Sequence, residues 1–409
     1  MDSKRLGRRL LQARESLGYT HEEVARSMGV PRPAVGQMEA GTRSVSTLEL
    51  VKLADLYSRT VSWLLSEEKE EEPLVVLFRK APTLEADFAV KRQVQQAFLL
   101  CQEGAGLQRL LQRDVRTHLP RYAEPVPGNA LQAIEQGQRI AEEERRRLGL
   151  GSTPVADLLG LIHAQGLWAA GIALPRAISG LCLSHSTIGT VLLVNASQSR
   201  TRQRFSYAHE LCHALVDWEQ AVVVSTNDTI DALIEMRSNV FAAAFLMPRE
   251  GIAEMVAALG KADVVRSQQT HFDIGSNEGV LIRDRTPAHV RRLTPQDAAR
   301  IARYFGVSYV AAVHRLYNLR YLNGAEHQHL LAEESFGQSV LRELGLWASE
   351  ETPASGSSDR ELCAQIADLT LEAYRREQIS FGRACDLGER LGMDPPAWVE
   401  LVETVRFNR

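Results

Sequence analysis

The chain has 409 residues, 44 % apolar and 24 % charged, with a net charge of −4, which suits several folded domains and excludes a wholly disordered, collagen-like or membrane-embedded chain. No run of eighteen apolar residues occurs and Met1-Asp-Ser-Lys-Arg5 does not open a secretory leader, so a cytoplasmic protein with no membrane association is expected. Five scattered cysteines without a C-x-x-C pair suggest neither a disulfide framework nor a four-cysteine zinc site.

The first 60 residues hold ten Lys/Arg and seven Asp/Glu, a net of +3. Leu6, Leu10, Ala13 and Leu17 share one face of a predicted first helix that Gly18 ends. Thr20 and Glu23 form a T-x-x-E capping box that opens a second helix with Val24, Ala25 and Met28 inward, stopped by Gly29. A third runs from about Pro31 to Ala40 with Val35 and Met38 apolar, and Leu48, Val51, Leu53, Ala54 and Leu56 continue the helical pattern. Short helices joined by glycine turns predict a helix-turn-helix over residues 1–65.

The acidic run Ser66-Glu-Glu-Lys-Glu-Glu-Glu72 marks a boundary, read as a solvated linker opening a connector over 66–150. Within it 84–117 and 129–149 read as helical, with Phe88, Val90, Val94, Ala97, Phe98 and Leu110 as core. Thr190-Val-Leu-Leu-Val-Asn195 reads as a buried strand.

His209-Glu-Leu-Cys-His213 follows, an H-E-x-x-H pentad. Spacing of four puts both imidazoles on one helix face, where they can share a metal ion, while Glu210 projects beside them to take a proton from water. Catalytic zinc wants a third protein ligand, and no H-E-x-x-H-x-x-G-x-x-H extension supplies one. Glu235 is the leading candidate because 231–248 has a strong helical pattern placing Glu235, Asn239 and Ala242 along one side, and Ala242 and Ala243 permit close approach. Asp217, Glu219 and Asp231 remain rivals, and Tyr207 or His185 could donate to an oxyanion. Cys212 reads as a buried small residue, with a redox-sensitive or inhibitory ligand as the other possibility.

Further on, Thr294-Pro295-Gln-Asp297 opens another helical stretch, and Gly306-Val-Ser308 before Val313-His-Arg-Leu316 makes a second helix-turn-helix-like element, read as structural because its second helix is largely apolar. Glu351 to Asp359 is small, polar and without period, a linker before helices built on Leu362, Ile366, Leu369 and Ala373, then Ala384, Leu387 and Leu391.

Gly18-Tyr-Thr-His-Glu-Glu-Val-Ala-Arg-Ser-Met-Gly-Val30 followed by Met38-Glu-Ala-Gly-Thr-Arg43 resembles the lambda-repressor/Cro-like (XRE) family over residues 4 to 65. The resemblance implies that Arg32, Ala34, Gly36 and Gln37 face base edges in the major groove, that His21, Thr42 and Arg43 approach the backbone, and that Arg14 and Glu39 form a structural ion pair. Pro31 and Pro33 depart from the family's polar residues at that helix start and donate no N–H.

Arg204-Phe-Ser-Tyr-Ala-His-Glu-Leu-Cys-His213 with Glu235-x-x-Ser-Asn-x-Phe-Ala-Ala-x-Phe-Leu-Met-Pro248 looks like the ImmA/IrrE family of zinc metallopeptidases, over about Pro154 to Asn323, including strand-like Leu167 to Leu174 and Ile178 to Leu183. It implies Zn²⁺ held by His209, His213 and Glu235, with Glu210 as general base. The expected architecture is α+β and mostly helical: a helix-turn-helix bundle (1–65), the connector (66–150), a zincin-like metallopeptidase domain with a small sheet (151–325) and a C-terminal helical module (326–409). The expected function is a transcriptional regulator, a homodimer on a double-stranded DNA operator, whose endopeptidase domain cleaves a repressor, a partner or itself. The alternative is an antitoxin or autorepressor that uses the zinc fold as a scaffold for a partner such as a toxin.

Overall fold

The computed structural model describes residues 3–16, 19–57, 61–65, 88–112, 119–185, 188–220, 222–226, 232–261, 270–272, 279–281, 292–343 and 360–407. Both predicted linkers, Leu17, Gly18 and Asp231 lie outside these residues. No helix among the described residues is long and apolar enough to cross a membrane.

Five short helices build the N-terminal unit: α1 Ser3–Ser16, α2 His21–Met28, α3 Arg32–Glu39, α4 Thr47–Leu56 and α5 Val61–Leu65. Thr20 and Glu23 close a reciprocal capping box on α2, and Ser46 and Glu49 do the same on α4. Gly29 ends α2 at φ 67°, a left-handed conformation that costs glycine little, and the chain turns into α3. Leu10, Ala13, Val24, Val35, Met38, Leu53 and Tyr57 form a core of their own. Arg14 clamps it with a bidentate pair to Glu39 at 2.7 and 3.1 Å.

The second unit is organised on a four-stranded sheet of β1 Trp168–Ile172, β2 Ile178–His185, β3 Gly189–Asn195 and β4 Val222–Thr226, in the order β1-β3-β2-β4. The β1–β3 pair is parallel and the others antiparallel. Side chains alternate between faces. Ala169, Cys182, Leu192 and Val194 join one core with α7 Ala130–Arg147, α8 Leu158–Ala164, α9 Arg200–Val216, α10 Ala232–Leu246 and α11 Arg249–Ala258. Trp168, Ala170, Leu181, Leu183, Val191 and Leu193 face the other way, towards α6 Phe88–Leu110 and the C-terminal helices α16 Arg360–Arg375, α17 Phe381–Arg390 and α18 Pro395–Phe407. The helices before and after the motif region therefore cover the sheet's second face.

A two-stranded ribbon, β5 Thr270–Phe272 and β6 Gly279–Leu281, lies between α11 and the helices α12 Pro295–Phe305, α13 Tyr309–Asn318, α14 Gly324–Ala332 and α15 Glu334–Glu343 in sequence. The second helix-turn-helix-like element is α12–α13. Tyr309, Ala312, Val313, Arg315 and Leu316 of α13 are buried, with Arg315 donating to the Met247 carbonyl at 3.0 Å, so that helix serves the core.

Candidate metal centre and recognition helix

Helix α9 starts under a Ser199 cap and is buried continuously from Ser206 to Val216, so its polar residues sit inside the molecule rather than on a solvated face. Helix α10 packs beside it. Between them the Nε2 atoms of His209 and His213 lie 3.1 Å apart, with Glu235 oxygens 3.0 Å from His209 Nε2 and 3.4 Å from His213 Nε2. Tetrahedral coordination at about 2.0–2.1 Å places ligand atoms about 3.3 Å apart, so the three separations fit one ion. His209, His213 and Glu235 are also the one group of three candidate metal-ligating side chains among the described residues.

Burial opposes charge on His213, but its contacts to Asp217 and Glu235 and the charge of Glu210 outweigh that and lift it to about 10. Burial would raise Glu235, yet the two imidazoles pull it down to about 2. The carboxylates around His213 favour its protonated form, and the imidazoles favour the ionised form of Glu235.

Each imidazole is oriented from behind, as metal-binding histidines usually are. His209 Nδ1 lies 3.0 Å from Asn239 Oδ1 and His213 Nδ1 lies 2.8 Å from Asp217 Oδ2. Arg237 holds Asp217 in turn, one guanidinium nitrogen lying 2.7 Å from both carboxylate oxygens.

Glu210 is fully buried and neither of its oxygens has a hydrogen-bond partner of normal geometry, with the Ser225 hydroxyl of β4 its polar neighbour. Burial pushes its carboxyl above the usual range, and the adjacent histidines act in the opposite direction. Its space comes from Gly180, which follows an irregularity in the β2–β4 pairing at Ile178/Gly180: a Cβ there would fall 2.3 Å from Oε1. Asn195 anchors the turn before β2, its two Nδ2 hydrogens shared among the carbonyls of Leu174, Pro175 and Ile178.

Asp217 supports His213 rather than joining the ligands, Glu219 is exposed, and Asp231 lies outside the described residues. Cys212 is packed in the core, its thiol pushed up to about 12 by burial, and is not part of the three-ligand cluster. His185 stacks edge-on against Phe98 at 5.2 Å and Tyr207 is buried in the core of α9 and α10. Gly180, Ser225 and Arg237 were missed as site residues, as was β4. The triplet Val222-Val-Val224 was the signal for that strand.

On the recognition helix α3, Arg32 and Gln37 are exposed and Gly36 is half-buried. Ala34, also expected to face bases, is buried at 8 %. His21 Nε2 sits 3.0 Å from Glu39, exposed Thr42 donates to the Gln37 carbonyl at 3.2 Å, and Arg43 pairs with Glu49 at 2.7 Å.

The fold is a helix-turn-helix bundle followed by a mixed helix-and-sheet unit that carries the His209–His213–Glu235 cluster. A family model described as helix-turn-helix matches residues 10–64, and one described as an IrrE N-terminal-like domain matches 175–317. The chain thus joins an XRE-type helix-turn-helix domain to an IrrE/ImmA-like metallopeptidase domain. It is 37 % identical over 75 residues to the radiation response metalloprotease IrrE of Deinococcus radiodurans and 36 % identical over 75 residues to its counterpart from Deinococcus deserti. It is 33 % identical over 64 residues to the HTH-type transcriptional regulator ImmR of Bacillus subtilis. These matches cover 17 %, 17 % and 16 % of this chain, and 23 %, 27 % and 50 % of the three relatives. No solved structure matches the chain.

Proposed function

We propose that the chain is a DNA-binding transcriptional regulator whose second domain is a zinc-dependent endopeptidase acting on a repressor or another partner protein. The observation that carries the peptidase half is the pairing of a three-ligand cluster with a second, fully buried carboxylate that has only the Ser225 hydroxyl as a polar neighbour. Two imidazoles and one carboxylate, leaving a position open, are a catalytic-zinc donor set. When bound, such an ion supplies Lewis acidity to a water and to a peptide carbonyl. With an ion held by His209, His213 and Glu235, Glu210 would be the group placed to take a proton from the attacking water and pass it to the departing amine. Gly180 keeps the carboxylate's space open, and Asn239 and Asp217 hold the imidazoles with Nε2 inward. On α3, exposed Arg32 and Gln37 are the groups able to form bidentate contacts with guanine and adenine edges, in a homodimer spanning two half-sites.

The test is to incubate the zinc-loaded full chain with the protein encoded beside its gene and follow both by mass spectrometry. Discrete cleavage that chelation and Glu210→Gln both abolish supports the proposal. A stable complex with both chains intact supports the scaffold reading instead.

A further inference from the structure

Arg237 has no place in the chemistry just described, yet it is a fully buried cation two residues from a metal-ligand candidate. Burying a guanidinium is costly unless a carboxylate meets it. Here that carboxylate is Asp217, whose own position is unfavourable: it ends α9, its N–H donating to the His213 carbonyl at 2.8 Å, where the helix dipole repels an anion. Each charge makes the other tenable. We propose that the Arg237–Asp217 pair is a strut that sets the geometry of the metal ligands across the two helices. The inference rests on the metal-centre reading above.

The connections close into a ring. His213 meets Asp217 at 2.8 Å, Asp217 meets Arg237 at 2.7 Å, Arg237 and Glu235 share α10, and Glu235 returns to His213 at 3.4 Å. A slip of α10 along α9 therefore breaks the strut and moves the third ligand at once. Helix α7 backs the arrangement, for a Cβ at its Gly137 would fall 2.5 Å from the Arg237 carbonyl oxygen. Arg237 and Asp217 also neutralise each other, so the strut adds no net charge beside the ligands.

This role differs in sign from a purely electrostatic one. Deleting a nearby cation should tighten metal binding by Coulomb's law, whereas deleting a strut should loosen it. Zinc and Co²⁺ affinities are to be measured on the full chain by chelator competition, with the visible Co²⁺ band reporting coordination. Arg237→Gln is expected to weaken both ions by about 10–100-fold and alter the Co²⁺ band, Asp217→Asn to act in the same direction, and Arg237→Lys to recover part of the loss. Wild-type or tighter affinity in Arg237→Gln, with only thermal stability reduced, overturns the proposal. If Arg237→Gln does not fold, the Asp217→Asn/Arg237→Gln double variant carries no unpaired buried charge and is measured instead. Weaker binding there supports the strut, and wild-type binding overturns it. A wild-type chain that binds neither ion overturns the metal-centre reading itself, a result distinct from a wild type that binds and a variant that does not differ.

Discussion

Replacing Gly180 with alanine tests the placement of Glu210 with a single methyl group. The new Cβ would lie 2.3 Å from Oε1, 2.8 Å from Cδ and 2.9 Å from Cγ of Glu210. Favourable carbon contacts lie at about 3.5–4.0 Å, so something must move by about 1 Å. Strand β2 is held on both sides, by β3 and by β4, and the carboxylate is therefore the part that gives way. Forcing it off its rotamer costs about 0.5–1.5 kcal/mol, and the whole overpacking penalty is about 1–3 kcal/mol, a fall of several degrees in melting temperature. A base displaced by about 1 Å loses roughly 100-fold in rate. His209, His213 and Glu235 are untouched by the substitution, so zinc affinity should hold. The assay is cleavage of the partner protein alongside a zinc titration and a thermal melt. Wild-type cleavage and stability in Gly180→Ala would refute the packing argument, and lost zinc binding would show that β2 rather than Glu210 had moved.

Asn195→Ala strips the turn before β2 of bonds to three carbonyls and leaves buried groups unpaired, so denaturant unfolding of the full chain should show a loss of roughly 3–5 kcal/mol. Glu39→Gln breaks a largely buried ion pair with Arg14 and should destabilise the N-terminal unit by about 3 kcal/mol, read as earlier proteolysis of that unit. Arg32→Ala and Gln37→Ala should each cost about 1–3 kcal/mol at particular base positions in the DNA upstream of the gene, leaving binding at other positions unchanged in full-chain titrations.

What could be read in the sequence was whatever a contiguous segment encodes. The Thr20–Glu23 box, the glycine stop at Gly29 and the i, i+4 histidines are local devices, and the helices formed where they predicted. Glu235 was reachable because its helix carries a long pattern of its own. Gly180 was not, because its purpose is defined by an atom of α9, thirty residues away in sequence and in contact only once the sheet is formed. Asp217 was a rival ligand until the structure placed it on the far nitrogen of His213, a distinction of side-chain direction that spacing does not carry. The two-sided burial of the sheet had a usable signal in the unbroken apolar run Val191-Leu-Leu-Val194, since strands covered on both faces do not alternate.

In the proposed centre His209, His213 and Glu235 hold one ion and Glu210 stands beside it without being a ligand. Native mass spectrometry of the zinc-loaded wild type, Glu235→Gln and Glu210→Gln tests it most directly. One zinc per chain is expected in the wild type and in Glu210→Gln, with zinc lost from Glu235→Gln, because only the last substitution removes a ligand. Full zinc occupancy in Glu235→Gln, or its loss in Glu210→Gln with the fold intact, would contradict the account.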